Sequence, residues 1–199
     1  MKPDGNTRVY ICGVGGQGSL TASRLLGEAA LAAGLPVTVS EVHGMSQRGG
    51  VVESTVLIGG AKSPLIGRGD ADILLAFEPL EALRALPYCS RKTVAVINTR
   101  PIVPFTVTIG QGKYPPLEKI LDQVRAAVGR VIALDATALA EQAGNAMAVN
   151  AVLMGAMTHA RSLPVEKEAV RRVVIEAVPE KFRATNAKAF ELGDLAAAE

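Results

Sequence analysis

The chain has no tryptophan, two cysteines, two histidines and only 4% aromatic residues among 199. Each shortage removes something. Cys12 and Cys89 lie far apart in sequence, and two thiolates cannot ligate an iron–sulfur cluster. No CxxC stands with a histidine cluster to hold zinc. With so few aromatics, the core must be built from Val, Leu, Ile and Ala. A formal net charge of +2 gives no electrostatic case for nucleic acid as a partner. No apolar stretch reaches membrane-span length without charges, which argues against a membrane partner. Met1 to Thr7 is polar and has no signal-peptide core, so a cytoplasmic protein is expected.

What is present argues for a folded α/β domain. Apolar residues make up 49% of the chain, too many for disorder. The most informative stretch is VYICGVGGQGSLTASRLLGEAA, Val9 to Ala30. Val9 to Cys12 is an apolar run of strand type. Gly13, Gly15, Gly16 and Gly18 follow, with Gln17 among them. Leu20, Ala22, Leu25, Leu26, Ala29 and Ala30 then recur at helical spacing. A buried strand, a glycine turn and an amphipathic helix open a dinucleotide-type βαβ unit. Such a turn delivers free N–H groups and the positive helix end to one point, where an anion is favoured. The same glycines equally suit a tight turn that binds nothing. The loop has no Lys-Ser/Thr pair, so it is not the phosphate loop of a nucleoside triphosphatase. There is no GxSxG elbow and no HExxH.

Further strands are expected over Leu35–Val42, Val51–Ile58, Asp72–Phe77, Thr93–Asn98 and Arg130–Asp135, with an extended piece over Phe105–Ile109. Helices are expected over Glu78–Leu86 and Leu117–Val128. Gly34 suits the C-terminal cap of the first helix. From residue 136 the pattern changes to helices over Ala136–Ala143, Ala146–Ala160, Val165–Ala177 and Ala187–Leu195. Asn145 is a candidate N-cap for the second of these, and Ala196–Glu199 are expected to fray. The whole chain, 1–199, reads as one domain: a Rossmann-like, mostly parallel sheet flanked by helices, with a helical part from about 136 to 199.

Two further groups bear on chemistry. Glu41 lies about 20 residues past the last loop glycine, where a ribose-binding carboxylate stands in NAD enzymes. Between two strands lies HGMSQRGG, His43 to Gly50. Arg48 can present a guanidinium fork to a phosphate or carboxylate, with Ser46, Gln47 and Gly49 beside it. The alternative is an ion pair from Arg48 to Glu41 or Glu53. His43 is of the residue type suited to proton transfer near neutrality, although a lone histidine is more often structural. Gly69-Asp70-Ala71 is not followed by the residues that would bind thiamine diphosphate with its magnesium. These residues give an anion-friendly loop and a polar second loop, without a complete active site.

GVGGQG at Gly13–Gly18 followed by EVHGMSQRGG at Glu41–Gly50 resembles the gamma-type domain of the 2-oxoacid:ferredoxin oxidoreductases (the pyruvate/ketoisovalerate oxidoreductase catalytic domain). Within that family it is most similar to the indolepyruvate branch and its beta subunits. Asn150 before Gly155, and Asn186-Ala187-Lys188-Ala189-Phe190 with Gly193, fit the same pattern. The resemblance implies one subunit of an assembly, inert alone. The complete enzyme decarboxylates a 2-oxoacid oxidatively, an aryl pyruvate in the indolepyruvate branch, forms acyl-coenzyme A and reduces ferredoxin. It implies thiamine diphosphate, Mg2+ and iron–sulfur clusters on a larger partner subunit, none bound by this chain alone, and coenzyme A as co-substrate. By the same resemblance, Gly13, Gly15, Gly16, Gln17 and Gly18 with Ser46, Gln47, Arg48 and Gly49 form loops that bind an anion such as coenzyme A or face the partner. Made without that partner, the chain is open to forming a homo-oligomer. Two other readings stand beside this one: a free-standing NAD- or flavin-binding oxidoreductase, and a scaffolding subunit with no part in chemistry.

Overall fold

Residues 5–43, 50–61, 63–161 and 163–198 are described in the computed structural model. Strand β1, Thr7–Val14, is buried along nearly its whole length. Its side chains alternate between two cores: Val9 and Ile11 face one, Tyr10 and Cys12 the other. A strand covered on both faces is apolar where it is covered, and β1 is so from Val9 to Val14. The glycine turn leads into α1, Ser19–Ala32, which lays Ala22, Leu25, Leu26, Ala29 and Ala30 on the first core. The helix ends at Gly34, whose φ of +73° lets its N–H turn back to the Leu31 carbonyl.

The remaining strands are β2 (Val37–His43), β3 (Val51–Ile58), β4 (Ile73–Ala76), β5 (Val94–Asn98) and β6 (Arg130–Leu134). They form one sheet in the order β2-β3-β1-β4-β5-β6. β1, β4, β5 and β6 are parallel neighbours, while β3 runs antiparallel to both β1 and β2. The chain therefore fills one side of β1 first and then crosses to the other. The carboxyl ends of β1 and β4 meet where that direction reverses, the position at which open α/β sheets form a crevice.

Helices α2 (Pro79–Arg84), α3 (Phe105–Thr108) and α4 (Leu117–Ala127) follow β4 and β5. α2 and α4 cover the second core. α5 (Ala136–Ala143), α6 (Val149–Ala160), α7 (Lys167–Glu176) and α8 (Glu180–Ala196) pack with α1 on the first. α6 is buried continuously from Ala151 to Met157, as its apolar sequence requires.

Three local expectations need correction. Phe105–Ile109 is a single helical turn rather than an extended piece. β5 already has β4 and β6 on its two edges, so this segment has no strand to join. Pro104 instead starts a turn, its carbonyl accepting from Val107 and Thr108 N–H. The helix expected over Ala146–Ala160 opens as a separate 3-10 turn, Ala146–Ala148, because the Asn145 side chain accepts from Met147 N–H there. The terminus does not fray at Ala197, which is 3% exposed and whose carbonyl accepts from Arg130.

Candidate functional site

The glycine turn sits at the reversal point of the sheet, and each glycine has its own reason to be there. A methyl group on Gly13 would stand 2.9 Å from Phe77 Cβ, so this glycine admits the end of β4. Gly16 and Gly18 have φ of +99° and +87°. Gly16 is open to solvent, with nothing within 4 Å of an added methyl; at Gly18 the methyl would strike the Asn150 amide at 2.6 Å. Asn150 Oδ1 is itself buried and without a partner among the described residues.

Gln17 is a brace. Its Oε1 accepts from Val14 N–H (2.7 Å) and its Nε2 donates to the Phe77 carbonyl (2.8 Å). Asn98 at the end of β5 donates to the same carbonyl (3.2 Å) and accepts from Ala136 N–H. Three strand ends are thereby tied together at Phe77.

The backbone donors divide into two groups. Gly15 N–H is taken by the Gly50 carbonyl at 2.8 Å, and Gln17 N–H by the Val14 carbonyl at 3.1 Å. Gly16, Gly18 and Ser19 N–H make no backbone hydrogen bond within the described chain. α1 begins there with no acidic residue in its first turn and no side-chain cap. Free N–H groups at the positive end of a 14-residue helix favour an anion.

Of these three, Gly16 opens onto a crevice of about 210 Å³ lined also by Gln17, Asn98, Arg100, Thr137 and, on its apolar rim, Ile102 and Met147. Arg100 pairs with Asp135 at 3.1 Å, both side chains half exposed, which leaves guanidinium donors over. Among the described residues the lining holds no carboxylate, histidine, lysine or cysteine. Such a wall can bind and orient an anion; it offers no group for acid–base or nucleophilic work.

Of the residues singled out in the sequence, the structure brings Gly16 and Gln17 to this crevice, sets Gly18 against the Asn150 amide and buries Gly13 behind them. Gly15 joins the two sequence motifs through Gly50. Ser46, Gln47, Arg48 and Gly49 lie outside the described residues. Arg100 and Thr137 went unread in the sequence. The available signal was their place just past the ends of β5 and β6, where ligands of such sheets bind.

Glu41 is not at the crevice. β3 lies between β2 and β1, so Glu41 sits on the sheet edge, two strands away. It accepts from Ser23 Oγ at 3.0 Å and lines a separate groove of about 560 Å³ with Leu20, Arg24 and Leu31. The ribose-binding role drawn from its spacing presumed β2 next to β1, and the antiparallel insertion of β3 removes it.

Behind the crevice, on the second core, Glu78 is 1% exposed. It caps α2 through Glu81 N–H (3.1 Å) and accepts from Ile102 N–H (3.2 Å) and from the Tyr114 hydroxyl. Burial pushes the Tyr114 hydroxyl upward, and the hydrogen bond to Glu78 adds to it. Glu81 is also raised, mainly by burial, with one carboxylate oxygen paired to Arg84 and the other buried without a partner among the described residues. Among the described residues, no three His, Cys, Asp or Glu side chains gather as metal ligands. No helix among them is long and apolar enough to cross a membrane.

Residues 8–195 match the family model described as pyruvate ferredoxin/flavodoxin oxidoreductase. The chain is 46% identical over 193 residues to the indolepyruvate oxidoreductase subunit IorB of Pyrococcus horikoshii, covering 96% of each chain. It is 42% identical over 185 residues to the subunit of the same name from Archaeoglobus fulgidus, covering 93% of this chain and 92% of that one. Its fold is similar to the crystal structure of the keto/oxoacid ferredoxin oxidoreductase gamma subunit of Geobacter sulfurreducens, with a TM-score of 0.70 and 26% identity over 96% and 98% of the two chains.

Proposed function

Because the chain belongs to the pyruvate ferredoxin/flavodoxin oxidoreductase family, we propose that it is the gamma-type subunit of a cytoplasmic indolepyruvate:ferredoxin oxidoreductase. The complex oxidatively decarboxylates an aryl pyruvate, passes two electrons to ferredoxin and forms an acyl-coenzyme A. Thiamine diphosphate, Mg2+ and the iron–sulfur clusters reside on a larger companion subunit, and this chain contributes a binding wall.

One observation carries the reading: among the described residues, a crevice at the sheet's reversal point has the Gly16 N–H without a backbone partner and an arginine, but no acid, base or nucleophile. Gly16 N–H, at the start of α1, and Arg100 fit a phosphate of coenzyme A. Thr137 offers a hydroxyl. Ser46, Gln47 and Arg48, outside the described residues, stand as candidate donors on the strength of the sequence motif alone. The position of Glu41 counts against a free-standing NAD enzyme.

The test is reconstitution. Neither subunit alone should reduce ferredoxin with indolepyruvate, and the pair should do so in a coenzyme A-dependent manner. Oxidation of a 2-oxoacid by this chain alone, or a nicotinamide or flavin held tightly by it, would overturn the proposal.

A further inference from the structure

The segment between β5 and α4 exposes apolar side chains and carries no charge. From Pro101 to Gly112 the sequence is PIVPFTVTIGQG, twelve residues without Asp, Glu, Lys or Arg. Phe105 is 74% exposed, and Val103, Ile109 and Ile102 between 39% and 48%. Across the crevice, Met147 is 78% exposed. Surface loops are ordinarily polar, and a connection of this length usually has a function. An exposed apolar patch with a polar site in its middle marks a contact surface.

The segment is also held in place at a cost. Glu78, buried and with no basic partner among the described residues, fixes its start through Ile102 N–H and its end through the Tyr114 hydroxyl. Thr99 N–H bonds the Leu134 carbonyl just upstream. Burying a carboxylate without a counter-charge is unfavourable unless its hydrogen bonds are good. Here those bonds position an otherwise weakly packed loop at the crevice mouth, where Ile102 is both anchored residue and rim.

We infer that Pro101–Gly112, with Met147 opposite, is the surface onto which the companion subunit docks, and that the companion meets it with an uncharged, apolar face. The inference rests on the function proposed above. Charge matching selects the chemistry: an ionised side chain set against Val103, Phe105 and Ile109 would be desolvated with no charged residue of the segment to pair with. The crevice selects the companion over a second copy. Among the described residues its wall has no acid, base or nucleophile, so under the proposed function those groups come from the companion, whereas a second copy would repeat the same wall.

The experiment uses the co-purified complex. Phe105→Asp combined with Ile109→Asp is compared with wild type and with Leu195→Asp, a substitution of a 64% exposed leucine on α8. Circular dichroism and thermal unfolding of the isolated chains check the fold. The expected result is an affinity for the companion weakened at least about tenfold by the Phe105/Ile109 pair. Leu195→Asp should leave it unchanged, and hydrogen exchange in 101–112 should slow when the wild-type complex forms. Undiminished association of the folded double variant would overturn this inference alone. A wild-type chain that fails to associate would overturn the proposed function with it. A homodimer of the isolated chain that the double variant dissolves would make a second copy the occupant and also overturn it.

Discussion

Gly155 on α6 and Gly193 on α8 mark the point where these two helices touch backbone to backbone. A methyl group on Gly155 would overlap the Phe190 carbonyl, and one on Gly193 the Val152 carbonyl. Neither obstacle is a flexible side chain, so neither can turn aside. Val152, Ala156, Ala189 and Phe190 close around the crossing with almost no exposure. Gly155→Ala and Gly193→Ala should each destabilise the chain by about 1–3 kcal/mol or more through overpacking. The double variant should lose less than the sum, because one helix shift relieves both overlaps. Urea unfolding of the three variants measures this.

The Gln17 amide joins Val14 N–H to the Phe77 carbonyl, so it holds the glycine turn against β4. Gln17→Ala removes both bonds and should lower stability by about 1–3 kcal/mol. Gln17→Glu keeps the acceptor for Val14 but sets a carboxylate against the Phe77 carbonyl, and should be at least as harmful. Denaturant midpoints of the isolated chain decide between these outcomes.

Arg100 stands at the crevice with donors to spare. In the reconstituted complex, Arg100→Ala should raise the KM for coenzyme A about tenfold or more and leave the KM for the 2-oxoacid unchanged. Gly16→Ala should act in the same direction, because a side chain at φ +99° is strained and projects into the opening. Equal effects on both KM values would refute the anion-binding role.

Asp194 joins α8 to α6 and α7, accepting from His159 (3.1 Å) and Lys167 (2.7 Å). Burial alone would raise its carboxyl, but the bonds from Lys167 and His159 outweigh that and hold it below the usual 3.8. The folded state therefore takes up this proton less readily than the unfolded one. The stabilisation is present above the unfolded value near about 3.9 and disappears as pH falls through the folded value. Asp194→Asn should lower stability by up to about 1 kcal/mol at neutral pH, with the difference closing below about pH 4. A pH series of urea titrations on both proteins checks the sign.

Cys12 is 1% exposed, and burial pushes its thiol well above the usual range. Burial also pushes half-buried Cys89 up to about 11. Almost no thiolate exists in either case at neutral pH, and the thiolate is the reactive species. Native protein should take up a thiol reagent slowly at Cys89 and not at Cys12, whereas urea-unfolded protein should react at both. Mass spectrometry after brief alkylation reads the two sites separately.

The sequence by itself determined most of the elements, Phe105–Ile109 being an exception. β3 begins and ends where its β-branched run does, Val51–Ile58. α1 follows the glycine turn, and α2 opens with Glu78 as cap and Pro79 in its first turn. Buried α6 was legible in an apolar stretch of helical length. These features rest on turn chemistry and side-chain periodicity, which act between residues a few positions apart. GVGGQG and SQRGG together also carried the family, because the spacing of two loops is written along the chain.

Only the tertiary structure decided which strand lies beside which. Nothing local says that β3 inserts between β1 and β2, and that one pairing moved Glu41 from a cofactor position to a sheet edge. Nor does local sequence say which backbone donors stay free. Gly15 is closed by Gly50, thirty-five residues on, while Gly16 remains open. Arg100 and Thr137 reach the crevice because parallel strands end at one level, and Gln17 is a brace because Phe77 happens to lie opposite. Contacts between distant residues set each of these, and their partners are fixed only when the whole sheet closes.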